Sequence, residues 1–216
     1  MGKQNLIRTD QYPYHITARA NNKEWFPIVI DKLWPLLNDL LTLTSWMYEI
    51  EIHAFVLMSN HFHLLVSTPK SNLDFAMRFF MSNSAKEINY LSGRINRVYG
   101  GRYKWSIIKD EAYLFNVVSY IYENPRRANS CKSIESYPYS TLHGLLGQDR
   151  LMIPISPLPY SSEDGLDQHP GRLLENLQRY KVSKDEVDLI SLGLRKCEFK
   201  YNPRNINRIR SNKISF

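Results

Sequence analysis

The spacing of apolar residues changes several times along the chain, and each change marks an element. Residues 12–20, Tyr-Pro-Tyr-His-Ile-Thr-Ala-Arg-Ala, are β-branched and aromatic and end at Asn21-Asn22, which predicts a first strand. Within 31–46, Leu33, Leu36, Leu37, Leu40 and Leu41 recur at helical spacing, with Asp31 as the expected N-cap. From Met47 to Met58 the chain is rich in Tyr, Ile, Phe and Val. It resumes after Ser59-Asn60 as His-Phe-His-Leu-Leu-Val-Ser-Thr, so two strands joined by two polar residues form an antiparallel hairpin. A second amphipathic helix covers 71–92, capped by Ser71 or Asn72, with Leu73, Ala76, Met77, Phe80, Ile88 and Leu91 as its apolar set. Residues 104–109 predict a fourth strand. The order is β-α-β-β-α-β, so the expected class is α+β: a ferredoxin-like antiparallel sheet with helices on one face.

A third helix is expected from about Asp110 to Asn124, stopped by Pro125, whose ring lacks an N–H and collides with a helical predecessor. The prolines at 154, 157, 159 and 170 make 148–171 a linker or irregular wrap. Residues 172–196 read as two helical pieces, the second opened by the capping box Ser183-x-x-Glu186, and a basic tail follows. The chain thus divides into a catalytic unit over 1–147, the wrap, and a helical extension over 172–216.

Composition changes the picture in two ways. With 14 Tyr, 9 Phe and 4 Trp the chain is built to fold, and two cysteines exclude both a disulfide framework and a four-thiolate zinc site. The net charge of +7 is concentrated: 78–109 and 195–216 each carry seven basic residues against one acid. Basic residues interleaved with aromatics suit a polyanion, because each neutralised phosphate releases counterions; a solvated, solubilising surface is the alternative. No apolar run nears the roughly 20 residues of a membrane helix. The first residues lack a signal peptide's apolar stretch and, with Leu6, the myristoylation pattern. The expectation is a soluble cytoplasmic protein, nucleoid-associated and without a membrane partner.

Chemistry concentrates at two places. His61-Phe62-His63 opens a strand, so both imidazoles project from one face while Phe62 packs on the other. About 7 Å apart along the strand, they can converge on one divalent ion, although a His-x-His pair also occurs incidentally. On the third helix, Leu114, Val117, Val118 and Ile121 form the apolar stripe, which leaves Tyr113, Asn116, Tyr120 and Asn124 on a flanking face. Tyr120 and Asn124 are one turn apart. A metal that polarises a phosphate makes tyrosine attack feasible, and an amide oxygen beside two imidazoles suits Mg²⁺ or Mn²⁺ better than structural zinc. The structural alternative makes Tyr120 and Tyr122 half-buried aromatics and Asn124 a C-cap.

Three ordered stretches carry a resemblance: residues 12–26, the run Ala54-Phe-Val-Leu-Met-Ser-Asn-His-Phe-His-Leu-Leu-Val, and Tyr120-Ile-Tyr-Glu-Asn-Pro-Arg-Arg-Ala, with Tyr137-Pro-Tyr-Ser-Thr and Leu145-Leu-Gly behind them. Together, over about 10–147, they resemble the REP-associated tyrosine transposases, a branch of the single-tyrosine HUH transposases. The resemblance implies that His61 and His63 are metal ligands with Asn124 as the third, and that Tyr120 is the nucleophile. It implies attack on a scissile phosphate that leaves a 5′-phosphotyrosine and a free 3′-hydroxyl, on single-stranded DNA folded into imperfect hairpins. Tyr122 points about 200° away around the helix and is the weaker candidate. DNA contacts are expected from Arg19, Lys86, Arg94, Arg97, Arg102, Lys104, Arg126 and Arg127, with Tyr90, Tyr99, Tyr103 and Trp105 as stacking faces. A monomer or a homodimer fits equally. Two other readings share parts of this pattern: a domesticated hairpin-binding protein without turnover, and an RNA-binding module, which would need aromatics on an open sheet face.

Overall fold

The computed structural model describes residues 5–159, 169–179 and 184–199. Four strands, β1 (Tyr14–Arg19), β2 (Glu51–Leu57), β3 (His61–Ser67) and β4 (Lys104–Ile107), form one antiparallel sheet in the order β2-β3-β1-β4. Helices α1 (Ile30–Tyr48) and α2 (Leu73–Ser92) cross over between strands, so the ferredoxin-like plan holds.

The alternation of the strands sorts side chains onto two faces. Tyr14, Ile16 and Ala18 of β1 and Phe62, Leu64 and Val66 of β3 point to α1 and α2, where they meet Leu33, Leu37, Leu41, Met77 and Phe80 in one buried core. Trp34 stacks on Phe55 at 5.7 Å between ring centroids, and Phe62 meets Phe80 edge-on at the same distance. Burying such a side chain contributes about 1.5–3 kcal/mol. His53 is the extra residue at a register shift in β2, between Ile52 paired with Val66 and Ala54 paired with Leu65. The shift sends Ala54 and Val56 to the second face and Phe55 and Leu57 to the first.

That second face is covered by α3 (Glu111–Arg127), whose Leu114, Val117, Val118 and Ile121 are all buried, as their spacing predicts. The short helix α4 (Thr141–Leu145), α5 (Pro170–Arg179) and α6 (Lys184–Gly193) add Leu142, Leu173, Leu177 and Ile190 to the same core. Residues before α5 run beside β2, where Ser156 N–H donates to the Ile52 carbonyl at 2.8 Å. Residues 197–199 close the other edge, bridging to Ile107 of β4.

Several local expectations are corrected. Val29, not Asp31, is the N-cap of α1; Asp31 lies in the first turn and its carboxylate takes the Tyr139 hydroxyl. Ser71 has a left-handed φ of 50°, and the N-cap Asn72 makes no capping bond: its Nδ2 donates to the Tyr48 carbonyl and its Oδ1 is buried without a partner. Pro125 lies inside α3 rather than ending it. The N–H it lacks is the one the Ile121 carbonyl would take, while one residue earlier the Tyr120 carbonyl receives Asn124 Nδ2 and Arg127 Nη2. Leu91 is exposed. Tyr99 and Tyr103 are buried against α2, with Tyr99 bonded to Ser84 Oγ at 2.8 Å, and neither offers an open stacking face; Trp105 is half-buried and Tyr90 is 83% exposed. The capping box at Ser183 and the tail beyond Phe199 lie outside the described residues.

Candidate active site

The sheet face beneath α3 carries a row of polar residues at its β1–β3 seam. In the antiparallel register Arg19 lies opposite His61, Thr17 lies between His63 and Lys104, and His15 lies between Leu65 and Ser106. Period-two alternation then turns His15, Thr17, Arg19, His61 and His63 to one side, away from the α1 and α2 core. The two ring centroids of His61 and His63 are 5.1 Å apart and their planes nearly perpendicular.

Tyr120 reaches this row from the overlying helix. Its half-buried ring lies 5.5 Å from His63, edge to face, and 6.2 Å from His15. Asn124, one turn on, uses Nδ2 to donate to the Tyr120 carbonyl at 2.9 Å, which leaves Oδ1 as its acceptor. Tyr122 points into the core: it is 2% exposed, its hydroxyl bonds Thr141 Oγ1 at 3.0 Å, and burial pushes its pKa up to about 12. The structure thus seats Tyr120 beside His63, with His61 next to it on the strand and Asn124 one turn along α3, and it turns Tyr122 into the core.

Burial holds the imidazoles neutral. His15 is lowered to about 3 by burial, and His61 to about 4 by burial and then by the Arg19 charge. His63 lies well below the ordinary 6.5, through burial and then the neighbouring His15, His61, Arg127 and Arg19. A neutral imidazole keeps the lone pair a metal needs. At His61 the tautomer follows from its neighbours. Asn60 Nδ2 donates to the Lys23 carbonyl at 3.2 Å, so its Oδ1 faces His61 Nδ1 at 2.6 Å and can only accept. The proton is therefore on Nδ1 and Nε2 is free. His63 Nδ1 lies 2.8 Å from His15 Nε2; when His63 donates in this pair, its own Nε2 is likewise free. Among the described residues no group of three or more His, Cys, Asp or Glu gathers in metal-binding geometry. The groups here that could hold an ion are the two imidazoles and, one turn beyond Tyr120, the Asn124 amide oxygen, and such a mixed set would suit Mg²⁺ or Mn²⁺.

The basic residues separate into groups. Arg127 belongs to the centre: its guanidinium lies 4.5 Å from the Tyr120 ring centroid, and its Nη1 is buried without a partner. Arg126 is exposed and paired with Glu123 at 2.7 Å. Arg19 and Lys104 flank the histidines on the same sheet face. Lys86, Arg94, Arg97 and Arg102 are exposed on α2 and the segment that follows it. His15 and Asn60 escaped the sequence reading as site residues. The alternation of β1 carried a signal for His15, but only the β1–β3 register puts it against His63.

Residues 8–124 match the family described as Transposase IS200 like. The chain belongs to that family. Among this family's relatives, the chain is 27% identical over 107 residues to a candidate REP-associated tyrosine transposase of Haemophilus influenzae, covering 44% of the chain and 61% of the relative. It is 27% identical over 93 residues to the REP-associated tyrosine transposase of Escherichia coli K12, covering 43% and 54%. The match thus spans less than two thirds of either relative's length. A solved REP-associated tyrosine transposase bound to a REP hairpin shares the fold of this IS200-like chain with a TM-score of 0.58 at 18% identity, over 76% of this chain and 97% of that one. No helix among the described residues is long and apolar enough to cross a membrane.

Proposed function

We propose that the chain nicks and rejoins single-stranded, hairpin-forming DNA through a covalent tyrosine intermediate. The observation that carries this reading is the seating of the Tyr120 ring 5.5 Å from His63, whose own ring centroid is 5.1 Å from that of His61. Tyr120 Oη forms the new bond to phosphorus and the bond to O3′ breaks, leaving a 5′-phosphotyrosine and a 3′-hydroxyl. Attack by that hydroxyl reverses the step without an energy source, since one phosphodiester replaces another. His61, His63 and Asn124 Oδ1 would hold a divalent ion, which supplies polarisation of the phosphate. Arg127 sets a positive charge beside the Tyr120 ring, suited to a phosphate drawn up to the hydroxyl. Arg19 and Lys104 extend the positive flank for the strand, and Lys86, Arg94, Arg97 and Arg102 contact DNA farther out.

The test is to incubate the full chain with labelled single-stranded hairpin oligonucleotides and Mg²⁺ or Mn²⁺, then look for a protein–DNA adduct that survives denaturation. An adduct lost in Tyr120→Phe supports the reading. An adduct formed equally by Tyr120→Phe overturns the nucleophile, and hairpin binding with no adduct under any metal favours a binding protein without turnover.

A further inference from the structure

Beyond the end of β1, against the end of α2, lies a small polar pocket that the cleavage chemistry does not use. Its walls are the segment after β1 and the segment after α2, and it holds about 130 Å³. That is well below the roughly 300 Å³ at which drug-sized sites begin, so its occupant is a fragment the size of one ring system.

The walls are preformed. Gly93 ends α2 at a left-handed φ of 65°, and Arg94 N–H turns back to the Asn89 carbonyl at 3.0 Å. The strand end is then stitched to this segment by Asn21 N–H to the Val98 carbonyl at 2.8 Å and Gly100 N–H to the Arg19 carbonyl at 3.0 Å. On the other wall, Asn22 and the neighbouring Lys23, which is not itself a lining residue, both hold left-handed φ, 54° and 63°, a backbone state non-glycine residues seldom take in succession. Asn60 links that wall to the histidines, since the amide that donates to Lys23 also accepts from His61.

The groups inside suit an unpaired nucleobase. Trp25 lines the pocket while 76% exposed, an indole face with nothing stacked on it. Asn89 spends Nδ2 on the Asn96 carbonyl at 3.0 Å, which leaves its buried Oδ1 without a partner; Glu24 adds a second acceptor. Two acceptors select a base edge that donates. Arg94 and Arg97, exposed and outside every ion pair among the described residues, supply the cations that the nucleotide's phosphates need. Arg97 also lines a groove of about 550 Å³ along α2 with Arg78 and Arg102, a continuous basic path away from the pocket.

We infer that this pocket takes one unpaired base bearing an exocyclic amine, stacked on Trp25. The inference rests on the DNA reading above and deepens it: the pocket gives the protein a direct contact to sequence where phosphate contacts give none.

The test starts from a hairpin that the full chain binds, selected from a pool of imperfect stem–loops with randomised single-stranded flanks. Each unpaired flanking nucleotide is replaced in turn by an abasic residue, and binding is measured by anisotropy. One abasic position should weaken binding by about fivefold or more, the range of base–aromatic stacking. Thymine there should bind worse than bases with an exocyclic amine. Trp25→Ala should abolish the abasic penalty at that position, and Asn89→Ala the discrimination against thymine. The inference fails if no flanking position matters to the unaltered chain, or if Trp25→Ala keeps the full penalty. A pool that yields no bound hairpin overturns the DNA reading itself, and the pocket's role with it.

Discussion

His15 Nε2 and His63 Nδ1 lie 2.8 Å apart with their rings stacked, both buried beneath Tyr120. A ring that accepts His63's proton fixes which His63 nitrogen keeps its lone pair, and removing such an orienting partner costs roughly 10–100-fold in metal affinity. His15→Ala is therefore expected to weaken Mn²⁺ binding by about that factor in a calorimetric titration, with His15→Gln, which retains an acceptor, recovering part of it. Unchanged affinity in His15→Ala would show that the pair does not orient His63.

Tyr122 and Tyr120 are expected to separate by function in the adduct assay. Tyr122→Phe deletes a buried bond to Thr141 Oγ1, which itself accepts from Phe55 N–H at 3.0 Å. The expected cost is about 1 kcal/mol in urea unfolding, with the covalent adduct still formed. Loss of the adduct in a folded Tyr122→Phe would reassign the nucleophile.

The buried histidines make the metal-free protein acid-sensitive. His15 and His61 have folded values of about 3 and 4, below the unfolded 6.5. Between those values the unfolded chain binds more protons than the folded one, so stability rises with pH there and is lost as pH falls from about 6.5 toward 4. In EDTA, the urea midpoint should drop across this window, and less so in His15→Phe. A midpoint flat from pH 7 to 4 would contradict the burial of these rings.

Leu177 of α5 is 1% exposed and packs in the core under α3. Leu177→Ala should destabilise the chain by about 2–5 kcal/mol, the range for truncating a core leucine. A cost under 1 kcal/mol, measured by denaturant unfolding, would mean that α5 does not share that core.

Periodicity was enough to find all four strands and the helices that cross between them, because each needs only its own residues to show which face it buries. The stripe Leu114, Val117, Val118 and Ile121 declared the buried side of α3 in the same way, and with it the shared face of Tyr120 and Asn124. A local rule failed at Pro125, which lies inside α3 and does not end it. Tyr99 and Tyr103, basic-stretch aromatics by sequence, proved to be core once α2 closed over them.

The sequence by itself determined that His61 and His63 share a face, since alternation along one strand is a property of the backbone alone. Which groups meet that face depends on strand register and on how α3 crosses the sheet, and both are set by packing between segments far apart in the chain. Only the tertiary structure could therefore bring His15 to His63, hang Tyr120 over both, and tie Asn60 between His61 and the neighbouring pocket.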